Sequence, residues 1–202
     1  MKTSPAPARA SPHTMPSRRQ LLSRICLGLL AGRVTGLALA QTQPAALPAE
    51  VLANIPDARW IGGARLRYFG WSVYDASLWA GPGFNANGYA SQRFALSLVY
   101  LRAFSGKEIA LRSMQEIRRL AKLPAETDLI WLDALQDVLP EVAAGERLTG
   151  LHGPGSLALW HQGRALATVS DAQLAARFFG IWLDPATSEP RLRQALLAGA
   201  IP

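Results

Sequence analysis

The sequence has few of the residues from which metal, redox and nucleophilic sites are built. Its 202 residues include one cysteine, Cys26, and three histidines. His152 and His161 have no companion cysteine and no H-x-x-x-H spacing, so we expect strand-end or loop histidines and no metal site. No G-x-G-x-x-G or phosphate loop occurs, and the segment around Ser156 lacks the second glycine of a nucleophile elbow. We therefore expect no cofactor.

Acidic residues are absent from the first forty positions, and this absence accounts for most of the formal net charge of +7. Six of the 21 basic residues lie there, which leaves 15 basic residues against 14 acidic ones in the rest of the chain. Non-specific binding to nucleic acid depends on many basic groups that neutralise phosphates. A nearly neutral body argues against DNA or RNA as a partner. The six residues are Lys2, Arg9, Arg18, Arg19, Arg24 and Arg33.

The basic N-terminal segment has its basic, apolar and small residues in the order that is typical of an export signal. Arg18 and Arg19 are followed by leucines, residues 25–40 are mostly apolar or small, and the segment ends Ala-Leu-Ala at Ala40. This order is typical of a twin-arginine signal with an A-x-A-like cleavage site. We expect residues 1–40 to be this signal and cleavage to follow Ala40.

The apolar part of the signal is short for a membrane span. Residues 25–40 include Arg33, and a spanning helix needs about 20 apolar residues. We expect a periplasmic or secreted protein with no stable membrane span after the signal is removed; the alternative is a retained N-terminal anchor. Because Cys26 lies inside the signal, the exported protein would have neither a disulfide nor a cysteine nucleophile.

The composition of residues 41–202 predicts a linker followed by one domain. Residues 41–58 are rich in proline and alanine, which predicts an extended linker, or an approach without strands, before a domain over 59–202. Residues 60–80 and 92–101 are rich in aromatic and β-branched residues or alternate in hydropathy, and both predict strands.

Helices and a second group of strands follow. Ser105 and Glu108 have capping-box spacing, and we expect helices from Ser105, over 126–139, from Ser170 with Gln173 to Pro185, and from Pro190 to near Gly199. Strands are expected at 146–152, 156–161 and 164–169. Strands grouped with strands and helices with helices predict an α+β fold, in which helices pack on one face of an antiparallel sheet.

Two arginines form the most suggestive chemical pattern. Arg65 and Arg67 are two residues apart and are followed by Phe69, so a strand would present all three on one side. An arginine on an apolar face can hold a carboxylate, phenolate or enolate with its planar fork. The alternative is a solvent-facing arginine or a structural ion pair with Asp57 or Asp75.

Two tyrosines are further candidates for the same site. Tyr74 and Tyr100 lie in predicted strands, where each hydroxyl can reach a ligand or lie at the edge of half-buried packing.

Four segments together resemble the bacterial chalcone isomerase-like proteins over about 60–198. They are GGARLR (62–67), FGWSVYDASLW (69–79), FSGKE (104–108) and FGIWLDP (179–185). The resemblance implies a large antiparallel sheet covered on one face by helices, as an open-faced sandwich with a ligand cleft between the layers. It also implies two possible activities. Plant members close a flavanone ring, whereas other relatives bind fatty acids without catalysis.

The resemblance transfers the family's functional residues only in part. It favours Arg67 as the substrate-anion arginine and Arg65 as the second choice. The position of the catalytic tyrosine falls on Ile109 and that of the threonine near Phe69, and neither residue carries a hydroxyl. Loss of both hydroxyls removes groups that would stabilise developing charge while anion binding survives.

We therefore expect an exported binder of a small apolar anion, fatty-acid-like or phenolic, in a cleft between sheet and helices. Its expected ligand-binding residues are Arg67, Arg65, Phe69, Tyr74 and Tyr100. The first alternative is an intramolecular lyase or isomerase in which Tyr68, Ser72 or Tyr100 supplies hydroxyls. The second is a structural or interaction protein whose cleft is filled by its own side chains.

Overall fold

A computed structural model describes residues 46–201, and the predicted export signal over 1–40 lies outside them. Six strands form one antiparallel meander in the order β1 to β6, which confirms the predicted α+β class with a large antiparallel sheet. The elements are α1 (Ala49–Asn54), β1 (Arg59–Tyr68), β2 (Trp71–Ala80), β3 (Phe94–Tyr100), α2 (Gly106–Leu120), α3 (Ala125–Val138), β4 (Arg147–Gly153), β5 (Ser156–His161), β6 (Arg164–Val169), α4 (Ala172–Leu183) and α5 (Pro190–Leu196).

The two faces of the sheet are covered by different elements. The inner face carries Ala76, Leu78 and Leu98, whose buried side chains share one hydrophobic core with residues of α2 to α5. The outer face carries Trp79 and Ala95, which belong to a second, smaller core with residues of α1. This division follows from the two-residue period of a strand.

Side-chain capping fixes where the helices of the inner face begin. The Ser105 hydroxyl accepts from the backbone N–H of Glu108, whose carboxylate accepts from the Ser105 backbone at 2.7 Å, as the capping-box spacing predicts. The predicted cap at Ser170 is wrong by one residue. The Asp171 carboxylate accepts from the backbone N–H groups of Gln173 and Leu174, because an ionised carboxylate bonds these donors better than a hydroxyl can.

The predicted strand over 60–80 is divided by a tight hairpin. Phe69 and Gly70 form a two-residue turn with φ of +46° and +82°, and Tyr68 pairs with Trp71. Positive φ at both central residues suits the right-handed twist of the paired strands. The side-chain alternation predicted from Arg65 therefore does not continue along one strand through residue 70.

Helix α1 lies inside the segment predicted to be an extended linker or an approach without strands; an extended conformation is wrong for residues 49–54, and the absence of a strand there agrees with the second reading. Val51 and Ile55 are buried against the outer face, where they pack with Trp79, Ala95 and Leu151. The helix has no side-chain cap. Burial of its apolar side stabilises it instead, as is usual for short helices.

A buried polar network fastens α1 to the sheet. The Glu50 carboxylate accepts from Arg147 Nε at 3.0 Å and from the Thr149 hydroxyl at 2.9 Å, and Thr149 is hydrogen-bonded to Ser97. Burial alone would raise the pKa of Glu50, but its hydrogen bonds and Arg147 outweigh burial and hold that pKa below its usual value.

Candidate ligand-binding cavity

A cavity of about 580 Å³ lies between the inner face and its helices, at the end of the sheet formed by the β1–β2 hairpin. Strands β1 to β3 form one wall, one side of α2 forms the opposite wall, and α4 and the start of α5 contribute the rest. The volume falls within the usual range for sites that bind small molecules, about 300–1,000 Å³.

Most of the cavity wall is apolar. The strands contribute Leu66, Val73 and Leu98, and the helices contribute Ile109 and Phe178. An apolar ligand body of matching shape would be stabilised here because its removal from water is favourable by about 25 cal/mol for each Å² buried.

Two buried tyrosines line the wall near α4. The indole Nε1 of Trp182 donates to the Tyr74 hydroxyl at 2.9 Å, and the Tyr74 and Tyr100 rings meet edge to face with centres 5.9 Å apart. Burial raises the pKa of both phenols well above the usual value of 10. Both hydroxyls therefore remain protonated at neutral pH and offer hydrogen bonds rather than charge.

Two arginines line the cavity close to the hairpin. The guanidinium carbon of Arg102 lies 5.2 Å from the centre of the Trp71 ring, and that of Arg112 lies 5.4 Å from the centre of the Tyr68 ring. Arg102 makes no ion pair with any residue between 46 and 201. It is therefore a cation at the cavity wall with an aromatic face but no carboxylate partner.

The other charged groups of the wall have defined surroundings. Arg112 Nη2 lies 2.7 Å from the Glu116 carboxylate, which also accepts from Arg119 at 3.1 Å and from the Ser188 hydroxyl at 2.9 Å. Glu189 lines the same part of the cavity. Glu108, whose carboxylate accepts from Ser105, lines the cavity as well. Arg102 is the arginine of the wall that no carboxylate of the described residues neutralises, so it is the group that best suits an anion.

The structure brings three of the five predicted site residues to the cavity and leaves two outside it. Phe69, Tyr74 and Tyr100 line the wall, whereas Arg65 and Arg67 do not. Arg65 makes a bidentate ion pair with Asp75, at 2.7 and 2.8 Å. A structural ion pair is the alternative role that the sequence analysis gives for this arginine.

Strand alternation explains the position of these arginines. Leu66 and Tyr68 face the cavity, so Arg65 and Arg67 fall between residues that point inward. The hairpin turn then brings Phe69 to the cavity without bringing Arg67. Arg67 is exposed and makes no polar contact with any residue that the structure describes.

The sequence analysis missed Arg102. It lies two residues beyond β3, in a segment with no motif, and only the path of the chain after the strand brings it to Trp71. The position that the resemblance assigns to the family's tyrosine, Ile109, lines the cavity with an apolar side chain. Among the hydroxyls considered for an isomerase site, Tyr68 lines the cavity and Ser72 does not.

Neither histidine of the domain faces the cavity. His152 is buried, stacks on Phe94 with ring centres 4.9 Å apart, and places Nδ1 2.7 Å from the Gln92 carbonyl oxygen. His161 lies 2.9 Å from the Glu146 carboxylate. Within residues 46–201 no group of three or more metal-ligating side chains is assembled, and no helix is long and apolar enough to cross a membrane.

Comparison with known proteins identifies a relative by fold alone. No model of a protein family matches the chain, and no curated protein matches it. A crystal structure of an Arabidopsis thaliana fatty-acid binding protein matches with a TM-score of 0.57 and 12% identity, over 77% of this chain and 90% of that one. That protein has a chalcone isomerase-like fold. The described part of this chain therefore has a chalcone isomerase-like fold, as an open six-stranded sheet with helices.

Proposed function

We propose that this protein binds a small, mostly apolar anion, fatty-acid-like or phenolic, in the inner-face cavity and does not convert it. The observation that carries the proposal is an apolar cavity of about 580 Å³ whose wall includes one arginine without a carboxylate partner, Arg102. The fatty-acid binding of the Arabidopsis protein with the same fold supports this ligand class.

The charges of the wall orient the ligand. Arg102 offers a planar fork of donors that matches a carboxylate, whereas Arg112, the other arginine of the wall, is already paired with Glu116. The anionic group would therefore lie beside Arg102 and Trp71. The apolar body would extend along the strands toward Phe178.

The same wall supports binding without turnover. The positions at which the resemblance implies hydroxyls hold Ile109 and Phe69, and both line the cavity. The buried phenols of Tyr74 and Tyr100 have raised pKa values, so neither is a base at neutral pH. Turnover would need the protonated hydroxyls of Tyr68 or Tyr100, which line the cavity, to stabilise developing charge as hydrogen-bond donors, and this is the isomerase alternative that the test below includes.

The test compares two arginines of equal charge near the same hairpin. Binding of hexadecanoic acid to the full chain is measured by displacement of a fluorescent fatty acid, for wild type, Arg102→Gln and Arg67→Gln. Because a charge-assisted hydrogen bond is worth about 1.5–3 kcal/mol, we expect Arg102→Gln to raise Kd at least about tenfold. Arg67→Gln should change Kd less than about twofold, because Arg67 lies outside the cavity wall.

Each other result contradicts part of the proposal. Equal losses in the two variants would mean that the arginines act only through long-range charge, and no displacement in wild type would remove the binder altogether. Conversion of a chalcone to a flavanone by wild type, lost in Arg102→Gln, would favour the isomerase alternative.

The proposal includes the cellular location and the bacterial affiliation of the protein. The paired arginines at 18–19 and the apolar run that ends at Ala40 support twin-arginine export to the periplasm by a bacterial chalcone isomerase-like protein. N-terminal analysis of the exported protein should begin near Gln41. Recovery of the intact chain from the membrane fraction would contradict a free periplasmic form.

A further inference from the structure

The mouth of the cavity carries an unusual concentration of exposed aromatic side chains. Tyr68, Phe69 and Trp71, which we call the aromatic tip, occupy the β1–β2 hairpin turn, and Phe69 and Trp71 are 86% and 66% exposed. All three also line the cavity. Exposed aromatic residues grouped in this way mark an interaction surface more often than scattered single ones do.

The backbone does not explain why residue 69 is a phenylalanine. Its φ of +46° is a conformation that favours glycine, asparagine or aspartate at the first centre of a two-residue hairpin turn. Its exposed ring contributes little to the core, with the edge-to-face contact to Tyr68 at 4.6 Å as its one ring contact within the described residues. The aromatic ring therefore fits a role outside the fold better than a role within it.

The charges around the aromatic tip are mostly positive. Residues 65–75 and 100–103 contain three arginines and one acid, and that acid, Asp75, is paired with Arg65. Arg67 and Arg102 have no ion-pair partner within residues 46–201, and Arg102 stacks on Trp71. An anionic surface complements this arrangement.

We propose that the aromatic tip docks onto an anionic lipid bilayer, with its rings at the level of the headgroups and Arg67, which lies outside the cavity wall, against lipid phosphates. Tyrosine and tryptophan favour the membrane interface because one end of each ring is apolar and the other polar. A basic residue near an anionic leaflet is attracted to its negative surface potential. The inference rests on the proposed function in one respect: a mouth set on the membrane lets an apolar anion pass between bilayer and cavity.

The intrinsic fluorescence of Trp71 gives a direct readout of docking. All six tryptophans lie between 60 and 182, and Trp71 is the exposed one among them. The full chain is mixed with vesicles of phosphatidylglycerol and phosphatidylcholine in equal parts, with bromine near the headgroup end of the acyl chains. We expect the bromine to quench wild-type emission, and Trp71→Phe to lose most of that quenching.

A variant of the aromatic tip and a matched control distinguish binding through the tip from binding through any exposed apolar side chain. Phe69→Asn suits the turn and should weaken vesicle binding severalfold. The control, Leu129→Ser with Ile130→Ser, removes two apolar side chains of α3 that are 62% and 57% exposed, and it should bind like wild type. Vesicles of phosphatidylcholine alone should bind wild type more weakly, and salt should weaken binding to the anionic vesicles.

Three results would overturn the inference. The first is co-sedimentation without quenching of Trp71, which would mean attachment through another part of the chain, such as residues 1–40. The second is equal loss of binding in the control variant. The third is self-association of wild type that Phe69→Asn abolishes while vesicles have no effect, which would assign the tip to a second copy of the chain.

The vesicle experiment and the fatty-acid assay fail independently. Displacement of the fluorescent acid is measured without vesicles, and Trp71 quenching is measured without added fatty acid. Normal displacement with no quenching would reject docking and keep the binder, whereas quenching with no displacement would reject the binder and keep docking.

Discussion

The two faces of the sheet differ in how completely the helices that cover them fill the space. On the outer face, α1 closes the surface with Val51 and Ile55 and buries the Glu50 carboxylate in a network of hydrogen bonds. On the inner face, the helices leave a cavity of about 580 Å³ near the hairpin. A charge is enclosed and paired on the outer face, whereas Arg102 stands at the inner cavity without a carboxylate partner in the described chain.

Small residues explain where the inner helices come close and where they do not. A side chain at Gly62 would meet the carbonyl oxygens of Ala195 and Leu196 in α5, and one at Gly150 would lie 3.1 Å from the Phe179 ring of α4. The strands at the hairpin end carry larger residues such as Leu66 and Tyr74, and the cavity lies there. The glycines at 62 and 150 therefore allow α5 and α4 to approach the sheet closely at positions outside the cavity wall.

The largest expected effect is the loss of close packing at Gly62. Gly62→Ala would place a methyl group against the Ala195 carbonyl, and overpacking of this kind costs about 3 kcal/mol. Urea denaturation should show that loss in the free energy of unfolding. The control is Gly81→Ala, where nothing lies within 4 Å of an added Cβ; equal stability of the two variants would contradict the close approach of α5.

The next effect concerns the buried charge of the outer face. The Glu50 side chain is 2% exposed, and its removal in Glu50→Ala leaves Arg147 without its carboxylate. Since Arg147 is itself partly exposed and can be hydrated, we expect a loss of about 2 kcal/mol, less than for a fully buried pair. Ligand displacement should not change. The matched control is the exposed Glu141→Ala, which should stay within about 0.5 kcal/mol of wild type.

The pH dependence of stability tests the same carboxylate. Because the folded-state pKa of Glu50 lies below its usual value of 4.5, its contribution is present above that value and is lost as the pH falls through the folded pKa. The difference in unfolding free energy between wild type and Glu50→Gln should therefore shrink below about pH 4.5. A difference that is constant down to pH 2 would show that folding does not lower the pKa of Glu50.

A smaller effect is expected at the inner-face tyrosine. Tyr74→Phe leaves the Trp182 indole N–H buried without its 2.9 Å acceptor, at a cost of about 1–2 kcal/mol. Trp60 and Trp79 of the outer face already have buried indole nitrogens without a partner among the described residues. Thermal unfolding of Tyr74→Phe beside the exposed Tyr68→Phe measures the difference, and equal Tm values would contradict the hydrogen bond.

The smallest effect is a gain of stability. Phe69→Asn replaces a residue that disfavours φ of +46° with one that tolerates it, so we expect an increase of about 0.5 kcal/mol in the free energy of unfolding. Chemical denaturation measures this gain. A loss of stability would mean that the Phe69 ring contributes to the fold, and it would weaken the assignment of the aromatic tip to membrane docking.

Local signals were enough to predict much of the fold. The capping box at Ser105 and the turns at 154–155 and 162–163 act within a few residues, so the start of α2 and the strands β4 to β6 follow from the sequence. Helix α1 could not be predicted from local signals, because it has no cap and is stabilised by contacts with distant strands. The hairpin turn was missed because phenylalanine is an unusual residue at positive φ.

Some residues of the candidate site could be predicted from the sequence and others could not. Tyr74 and Tyr100 were predicted as tyrosines of two strands whose hydroxyls could reach one ligand, and the structure places both at the cavity because they pair across β2 and β3. The arginines could not be told apart from the sequence. Two-residue spacing groups Arg65 with Arg67, but only the position of the sheet relative to α2 decides that their face is not the cavity face, and only the chain path after β3 brings in Arg102.

The most direct test of the proposed function is a crystal structure with hexadecanoic acid that carries bromine at its terminal carbon. We expect anomalous bromine density between the inner face and α4, near Phe178, with the carboxylate in hydrogen-bonding distance of Arg102. Bromine density on the outer face, a carboxylate held by Arg65 or Arg67, or an empty cavity at saturating acid would contradict it.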